Sequence, residues 1–372
     1  MKLKFVLLAL LAGSMVTAQK KTYLLVGTYT SKKGEGIYVY DFNTKTADNN
    51  LISIAKSSNP SYLAVSPNNK FVYAANENAD SSSEGIGGSI SAFAFDNGQL
   101  TFINKQFSGG KHPCYVAVDN SGKWVFAGNY SSGTLAVFPT TSTGTIDAAT
   151  QIITHTGTGP NKDRQEGPHV HATVLSPDNN YLFVPNLGID KVMSYNFNKI
   201  TGKLTASTQV SANSEPGSGP RHIEFAPNKK YAYLAEEMSG TVVVYAYKNG
   251  QLIKQQRLSA LPKDFKGSFG GADIHVSADN RFLYCSNRGS SNSITIFKIN
   301  KTNGNLTVIG HQSTMGKTPR NFNFDPTGNF LLVANQESDN IVILKINKTT
   351  GLLTTTGKQI SVPNPVCVKW IN

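Results

Sequence analysis

The sequence predicts an all-β fold: a seven-bladed β-propeller with four antiparallel strands per blade. Three observations carry this expectation. One 18-residue window recurs six times without gaps, and a partial seventh copy runs to the last residue. Each window reads strand, turn, strand, and two more strand-like runs follow it. The strands missing from the seventh unit lie at the other end of the chain. Strand-rich units recurring every ~50 residues are the sequence signature of a propeller.

The windows read PSYLAVSPNNKFVYAANE from Pro60, PCYVAVDNSGKWVFAGNY from Pro113, VHATVLSPDNNYLFVPNL from Val170, PRHIEFAPNKKYAYLAEE from Pro220, GADIHVSADNRFLYCSNR from Gly271 and PRNFNFDPTGNFLLVANQ from Pro319. The first half of each alternates apolar residues, the centre holds a turn pair such as Pro-Asn or Thr-Gly, and the second half is β-branched and aromatic. Third strands follow as SISAFAF, TLAVF, KVMSYNF, TVVVYAY, SITIFKI and NIVILKI. Fourth strands follow as GQLTFI, GTIDAA, GKLTAS, GQLIKQ, GNLTVI and GLLTTT. TYLLVGTYT (22–30), GIYVYDF (36–42) and LISIA (51–55) supply strands two to four of the split blade, and PVCVKWI from Pro365 supplies strand one. The chain ends then close the ring without an open edge.

Composition agrees. Among 372 residues, 16% are charged, 10% are aromatic and 33 are glycine, which excludes a disordered chain and disfavours a helical one. Three cysteines are too few for a disulfide scaffold, and each lies in an apolar β run, so Cys114, Cys285 and Cys367 read as buried thiols. The formal charge of +12 comes from scattered lysines, the pattern of a solvated basic surface, so no nucleic-acid partner is expected. Lys2 and Lys4, the apolar run Phe5–Leu11 and the small-residue site Val16-Thr17-Ala18 read as an export signal over 1–18. The expected mature chain, 19–372, is one domain and a monomer, exported to the periplasm, with no membrane contact once the signal is removed.

The repeat separates scaffold from chemistry. Window position 17 is Asn76, Asn129, Asn186, Glu236, Asn287 and Asn335, and its recurrence marks a structural role. Positions 2 and 18 meet at one end of each hairpin and vary. Position 2 is Ser61, Cys114, His171, Arg221, Ala272, Arg320 and Val366; position 18 is Glu77, Tyr130, Leu187, Glu237, Arg288 and Gln336, with Thr28 in the split blade. Around a ring these residues line one mouth of the central channel. Position 3 adds His222 and Asp273, while His169 and His275 lie two residues from His171 and Asp273. Three arginines suit an anionic substrate, and a histidine beside them can move a proton near neutral pH. Glu237 reads as an orienting group or as the acid/base. Other patterns are weak. His169-Val170-His171 and Asp273-Ile274-His275 have spacing for two metal ligands but no third, Gly85–Gly88 precedes no helix, and no GxSxG occurs.

At GTYT (27–30), RQEGPHVH (164–171), GPRHIEFAPNKKYAYLAEEM (219–238), ADIHVSADNRFLYCSNRG (272–289) and PRNFNFDPTGNFLLVANQ (319–336), the sequence resembles the seven-bladed propeller lactonases. That family contains bacterial 6-phosphogluconolactonases and fungal carboxy-cis,cis-muconate cyclases. The resemblance implies that His171, Arg221, Glu237 and Arg288 are catalytic, that Arg320 and Gln336 lie nearby, and that no metal or organic cofactor is needed. Glu236 stands where the family has Asn, and Asn186 where Asp is common. The expected activity is hydrolysis of a sugar-acid lactone. Arg221 and Arg288 would polarise its carbonyl, His171 or Glu237 would move the proton, and His169, His222, Asp273, His275, Arg320 and Gln336 would bind substrate. The alternatives are a lactonising cycloisomerase and a non-catalytic propeller that binds an anion. The export signal sets the chain apart from enzymes of cytosolic phosphorylated sugars.

Overall fold

A computed structural model describes residues 21–31, 33–79, 87–207 and 212–372. The export signal (1–18) and Gly85-Ile86 lie outside these residues. Seven antiparallel sheets form the predicted ring, and each window supplies the inner pair of strands. The first strands pack edge to edge around the channel. Pro365–Ile371 contacts Pro60–Val65, which contacts Pro113–Val118; on the other side Pro220–Phe225 contacts Phe269–Val276, which contacts Pro319–Phe324.

The window's local chemistry explains why it folds the same way each time. Position 10 is left-handed in all six copies: Asn69, Gly122, Asn179, Lys229, Asn280 and Gly328 have φ between 57° and 71°. Asn and Gly tolerate that conformation best. Position 7 caps the returning strand in every window but the one that carries Ala226 there. Ser66, Ser176 and Ser277 Oγ accept from the N–H of Phe71, Tyr181 and Phe282, and Asp119 and Asp325 do the same for Trp124 and Phe330. Position 17 ties each hairpin to the preceding loop. Asn76, Asn129, Asn287 and Asn335 donate from Nδ2 to the carbonyls of Ser58, Ser108, Ala260 and Thr314, at 2.7–3.0 Å. Glu236 cannot donate, and Arg257 repairs the exception: its Nε lies 2.8 Å from Glu236 Oε2 and its Nη2 donates to Ser218 Oγ.

Three element predictions shift. GTIDAA makes only a bridge, Thr140 to Ile146, and the outer strand of that blade is Gln151–Thr154. The blade of the 170 window splits its outer strand into Leu204–Ala206 and Ala212–Asn213, both paired with Lys191–Phe197. Its inner strand is regular only at Val174–Leu175, because the preceding backbone bonds irregularly: His169 N–H donates to Asn186 Oδ1 and His171 N–H to Pro185 O.

The core lies between facing blades rather than at the centre. One cluster joins Leu25 and Val39 of the split blade to Leu63 and Tyr73, and on to Val116 and Phe138. All three cysteines are buried and unpaired. The split blade closes as predicted, with Tyr23–Thr28 antiparallel to Pro365–Ile371 and Val26 opposite Val368. Closure needs a residue without a side chain at Gly27, where a Cβ would sit 2.3 Å from Pro60 O and 3.3 Å from Cys367 Cβ. Gly27→Ala is expected to destabilise by about 1–3 kcal/mol through overpacking. Urea unfolding would read this as a lower midpoint. An unchanged midpoint would mean that the split blade is not seated against its neighbour.

Candidate active site

Glu237 follows the strand Tyr231–Glu236 and is held between two blades by its backbone. Its N–H donates to Gly219 O, and its carbonyl accepts from Gly271 N–H. The side chain is 7% exposed and is surrounded by guanidinium groups. Arg164 Nη2 donates to Oε1 at 2.7 Å. Arg221 Nε and Arg288 Nη2 lie 3.0 and 2.9 Å from Oε2. These last two are charge contacts more than aligned hydrogen bonds: the Nε–H of Arg221 has no bonded partner, and Arg288 Nη2 donates to Gly271 O. Arg221 is 2% exposed and is braced by a 2.7 Å bond from Nη1 to Ala272 O. His171 closes the group, its Nε2 3.8 Å from Glu237 Oε2 and its Nδ1 3.8 Å from Cys114 Sγ.

Electrostatics fix the charge states. Burial works against ionising Glu237, but the Arg288 and Arg221 charges outweigh it and hold the carboxyl well below its usual range. Burial and the Arg221 charge push His171 well below the ordinary imidazole value, so it is neutral at pH 7. Burial, with repulsion from Arg288 and Arg320, lowers Arg221 to about 10, still cationic at neutral pH. Burial also raises the Cys114 thiol, which makes it a poor nucleophile beside His171.

Arg320 stands elsewhere on the same lining. Its Nη2 is 3.7 Å from Glu77 Oε2, its guanidinium lies over the Tyr29 ring, and Tyr29 Oη donates to Glu77 Oε2 at 2.8 Å. Gln336 opens the rim turn Gln336–Ser338, and its side chain makes none of these contacts. His169 stacks on Tyr130 at 4.3 Å, with Nε2 3.2 Å from Glu166 Oε1. It supports the site indirectly, since Tyr130 Oη is 3.2 Å from Arg164 Nη2. Glu237 and Arg288 open into a cleft of about 850 Å³ that also reaches Arg164, Lys317 and Glu337.

The expectation of a single mouth needs correction for three residues. His222, Asp273 and His275 form a second cluster that runs through the channel. His222 Nδ1 is 2.8 Å from Asp273 Oδ1, His275 Nε2 is 3.1 Å from Asp273 Oδ2, and His275 Nδ1 is 2.5 Å from Glu224 Oε2. Asn321 also donates to Asp273. His275 and Glu224 line a separate cleft with Tyr62, Tyr115 and Lys369. The reason is strand geometry: positions 3 and 5 lie progressively further along the channel from position 2. The histidines differ in charge. Burial and the Arg221 charge lower His222 to about 3, whereas Asp273 and Glu224 overcome burial and raise His275 to about 10.

Arg164 was not singled out from the sequence. It lies in the RQEGPHVH stretch, but in a loop outside the repeat, where window position gives no address.

A family model described as lactonase, 7-bladed beta-propeller, matches residues 23–370. The chain belongs to the seven-bladed β-propeller lactonase family. It is 41% identical over 352 residues to a 6-phosphogluconolactonase of Bacillus subtilis, covering 93% of this chain and 97% of the relative. It is 42% identical over 322 residues to a 6-phosphogluconolactonase of Formosa agariphila, covering 85% and 90%. The solved structure of the periplasmic gluconolactonase PpgL of Pseudomonas aeruginosa superposes with a TM-score of 0.89 at 34% identity, covering 95% of this chain and 99% of that one.

The lowered value of Glu237 makes a testable contribution to stability. A glutamate that stays ionised in the fold stabilises it above the unfolded value of 4.5, and that contribution is lost as pH falls through the folded value. Glu237→Gln takes the carboxylate charge from three guanidinium groups, two of them largely buried, and is expected to cost about 3–5 kcal/mol at pH 7. Urea midpoints should show this gap narrowing as pH drops below 4.5. A gap constant with pH would remove Glu237 from its ionised, clamped role.

Proposed function

We propose that this lactonase opens a sugar-acid δ-lactone at the Glu237 mouth. The observation that carries the reading is the clamp itself: an ionised, buried carboxylate held by Arg164, Arg221 and Arg288, with a neutral imidazole 3.8 Å away. In this reading Arg288 and Arg221 face the lactone carbonyl, whose oxygen gains negative charge as water adds. His171 Nε2 takes the proton from that water, and Glu237 stabilises the imidazolium that forms. The tetrahedral intermediate then collapses. The bond from the carbonyl carbon to the ring oxygen breaks, and His171 returns its proton to that oxygen, leaving a hydroxy acid that ionises in water. No cofactor takes part in these steps.

The proposed substrate is unphosphorylated, and the proposed location is the periplasm. Support comes from the Lys2, Lys4 and Phe5–Leu11 pattern ahead of Val16-Thr17-Ala18, and from the likeness to a periplasmic gluconolactonase. Expression of the full chain in a Gram-negative host should yield periplasmic protein that begins at Gln19, read by mass spectrometry of the intact chain. Retention of residues 1–18 on cytosolic protein would defeat the export proposal.

The activity is tested with δ-gluconolactone and its 6-phosphate, following acid release with a pH indicator above the spontaneous rate. Turnover of the unphosphorylated lactone is expected to be the faster. His171→Ala and Arg288→Ala are each expected to lower kcat/KM by about 10²–10³. Full activity in both variants would place the reaction elsewhere.

A further inference from the structure

The cleft at the far mouth of the channel, about 510 Å³, has a composition that the scaffold does not require. Window position 5 shows this. Around the ring it reads Ala64, Ala117, Val174, Glu224, His275, Asn323 and Lys369, so three adjacent blades are small and apolar and the other four are polar. A repeat under structural demand alone would hold one residue type there, as position 17 nearly does. The small half clears space over Tyr62 and Tyr115, which stack at 4.0 Å and line the cleft.

The unpaired charge at this mouth is carried by two lysines. Lys369 Nζ sits 4.6 Å over the Tyr62 ring and 3.4 Å from its hydroxyl, and has no carboxylate partner among the described residues. Lys229 also lines the cleft without one. It is the one position-10 residue that is neither Asn nor Gly, although its φ is 61°. The one lining carboxylate, Glu224, is already bonded to His275 Nδ1 at 2.5 Å, and His275 Nε2 is taken by Asp273 at 3.1 Å, so this group is closed on itself and leaves the lysines as the open cations. Position 4 is apolar in every window except at Thr173, whose buried Oγ1 has no hydrogen-bond partner and which lines the same cleft. Between this cleft and the Glu237 mouth stand Arg221, His222 and Asp273, all buried, and the two clefts share no lining residue.

We propose that the far mouth is a second binding site, for a small carboxylate with a ring or short carbon chain as its body. The body rests on the Tyr62–Tyr115 pair, and the carboxylate faces Lys369 and Lys229. The site is independent of the reaction at the Glu237 mouth.

The test uses the full-length folded protein carrying Arg288→Ala, so that binding at the reacting mouth does not contribute. Benzoate and gluconate are titrated by calorimetry, with benzyl alcohol and glucose as their uncharged counterparts. At least one carboxylate is expected to bind saturably and its uncharged counterpart not to bind, and the carboxylate that binds identifies the body. Lys369→Met is expected to weaken binding at least 10-fold while lactone turnover in the otherwise native enzyme stays unchanged. Lys229→Ala, on an exposed turn, gives the same reading without altering the strand. The proposal is overturned if neither carboxylate binds saturably, if the uncharged counterparts bind equally, or if neither lysine variant weakens binding.

Discussion

Seven inner strands converge on one channel, and this convergence removes water from most side chains at positions 2 and 3 and from Glu237, which stands beside them at position 18. A charge placed there has to be paired or lose its ionisation. Glu237 and Arg221 answer that constraint together. They are 7% and 2% exposed; Glu237 is the carboxylate in ion-pair contact with Arg221, and Arg164 and Arg288 share its charge. Such a pair is weak evidence of net stability, because desolvation offsets much of the attraction. What it provides is order: guanidinium groups fixed before substrate arrives, in a setting where their charge acts more strongly than in water.

The same constraint separates the roles of Glu237 and His171 in the proposed reaction. A carboxylate touched by three guanidinium groups is a poor proton acceptor, since protonation would leave those cations uncompensated. His171 is neutral for the opposite reason, because burial and the same cations penalise its charged form. The developing oxyanion reverses that penalty by adding negative charge among the arginines. His171 therefore becomes more basic as the reaction proceeds, while Glu237 stays ionised and steadies it.

The blade count, the closure of the ring and the structural role of position 17 were legible in the sequence because each repeats, and repetition turns a weak local signal into a strong one. The convergence of His171, Arg221, Glu237 and Arg288 was legible for the related reason that window position gives each an address. Residues outside the register had none. Arg164 reaches Glu237 from a non-repeating loop. The outer strand at Gln151–Thr154 was misplaced because GTIDAA carries the pattern while the pairing falls further on. His275 was assigned to the wrong mouth because two residues share a face without sharing a depth: along a strand they are ~7 Å apart, enough to reach the opposite opening of a short channel.

The guanidinium groups also bear on whether the substrate is phosphorylated. Arg164 and Arg288 already spend much of their charge on Glu237, and the exposed rim lysine, Lys317, is screened by salt. Arg320 is the cation with donors to spare, since its contacts are the 3.7 Å approach to Glu77 and the face of Tyr29. Glu77 decides what those donors can take. A phosphate at Arg320 would bring about two negative charges close to a carboxylate that is already half-buried and bonded to Tyr29. Sugar hydroxyls meet no such repulsion, and they can donate to Glu77 while accepting from Arg320. In the proposed reaction the Arg320–Glu77 pair thus suits a neutral polyhydroxy lactone better than its phosphate ester, in keeping with the proposed export.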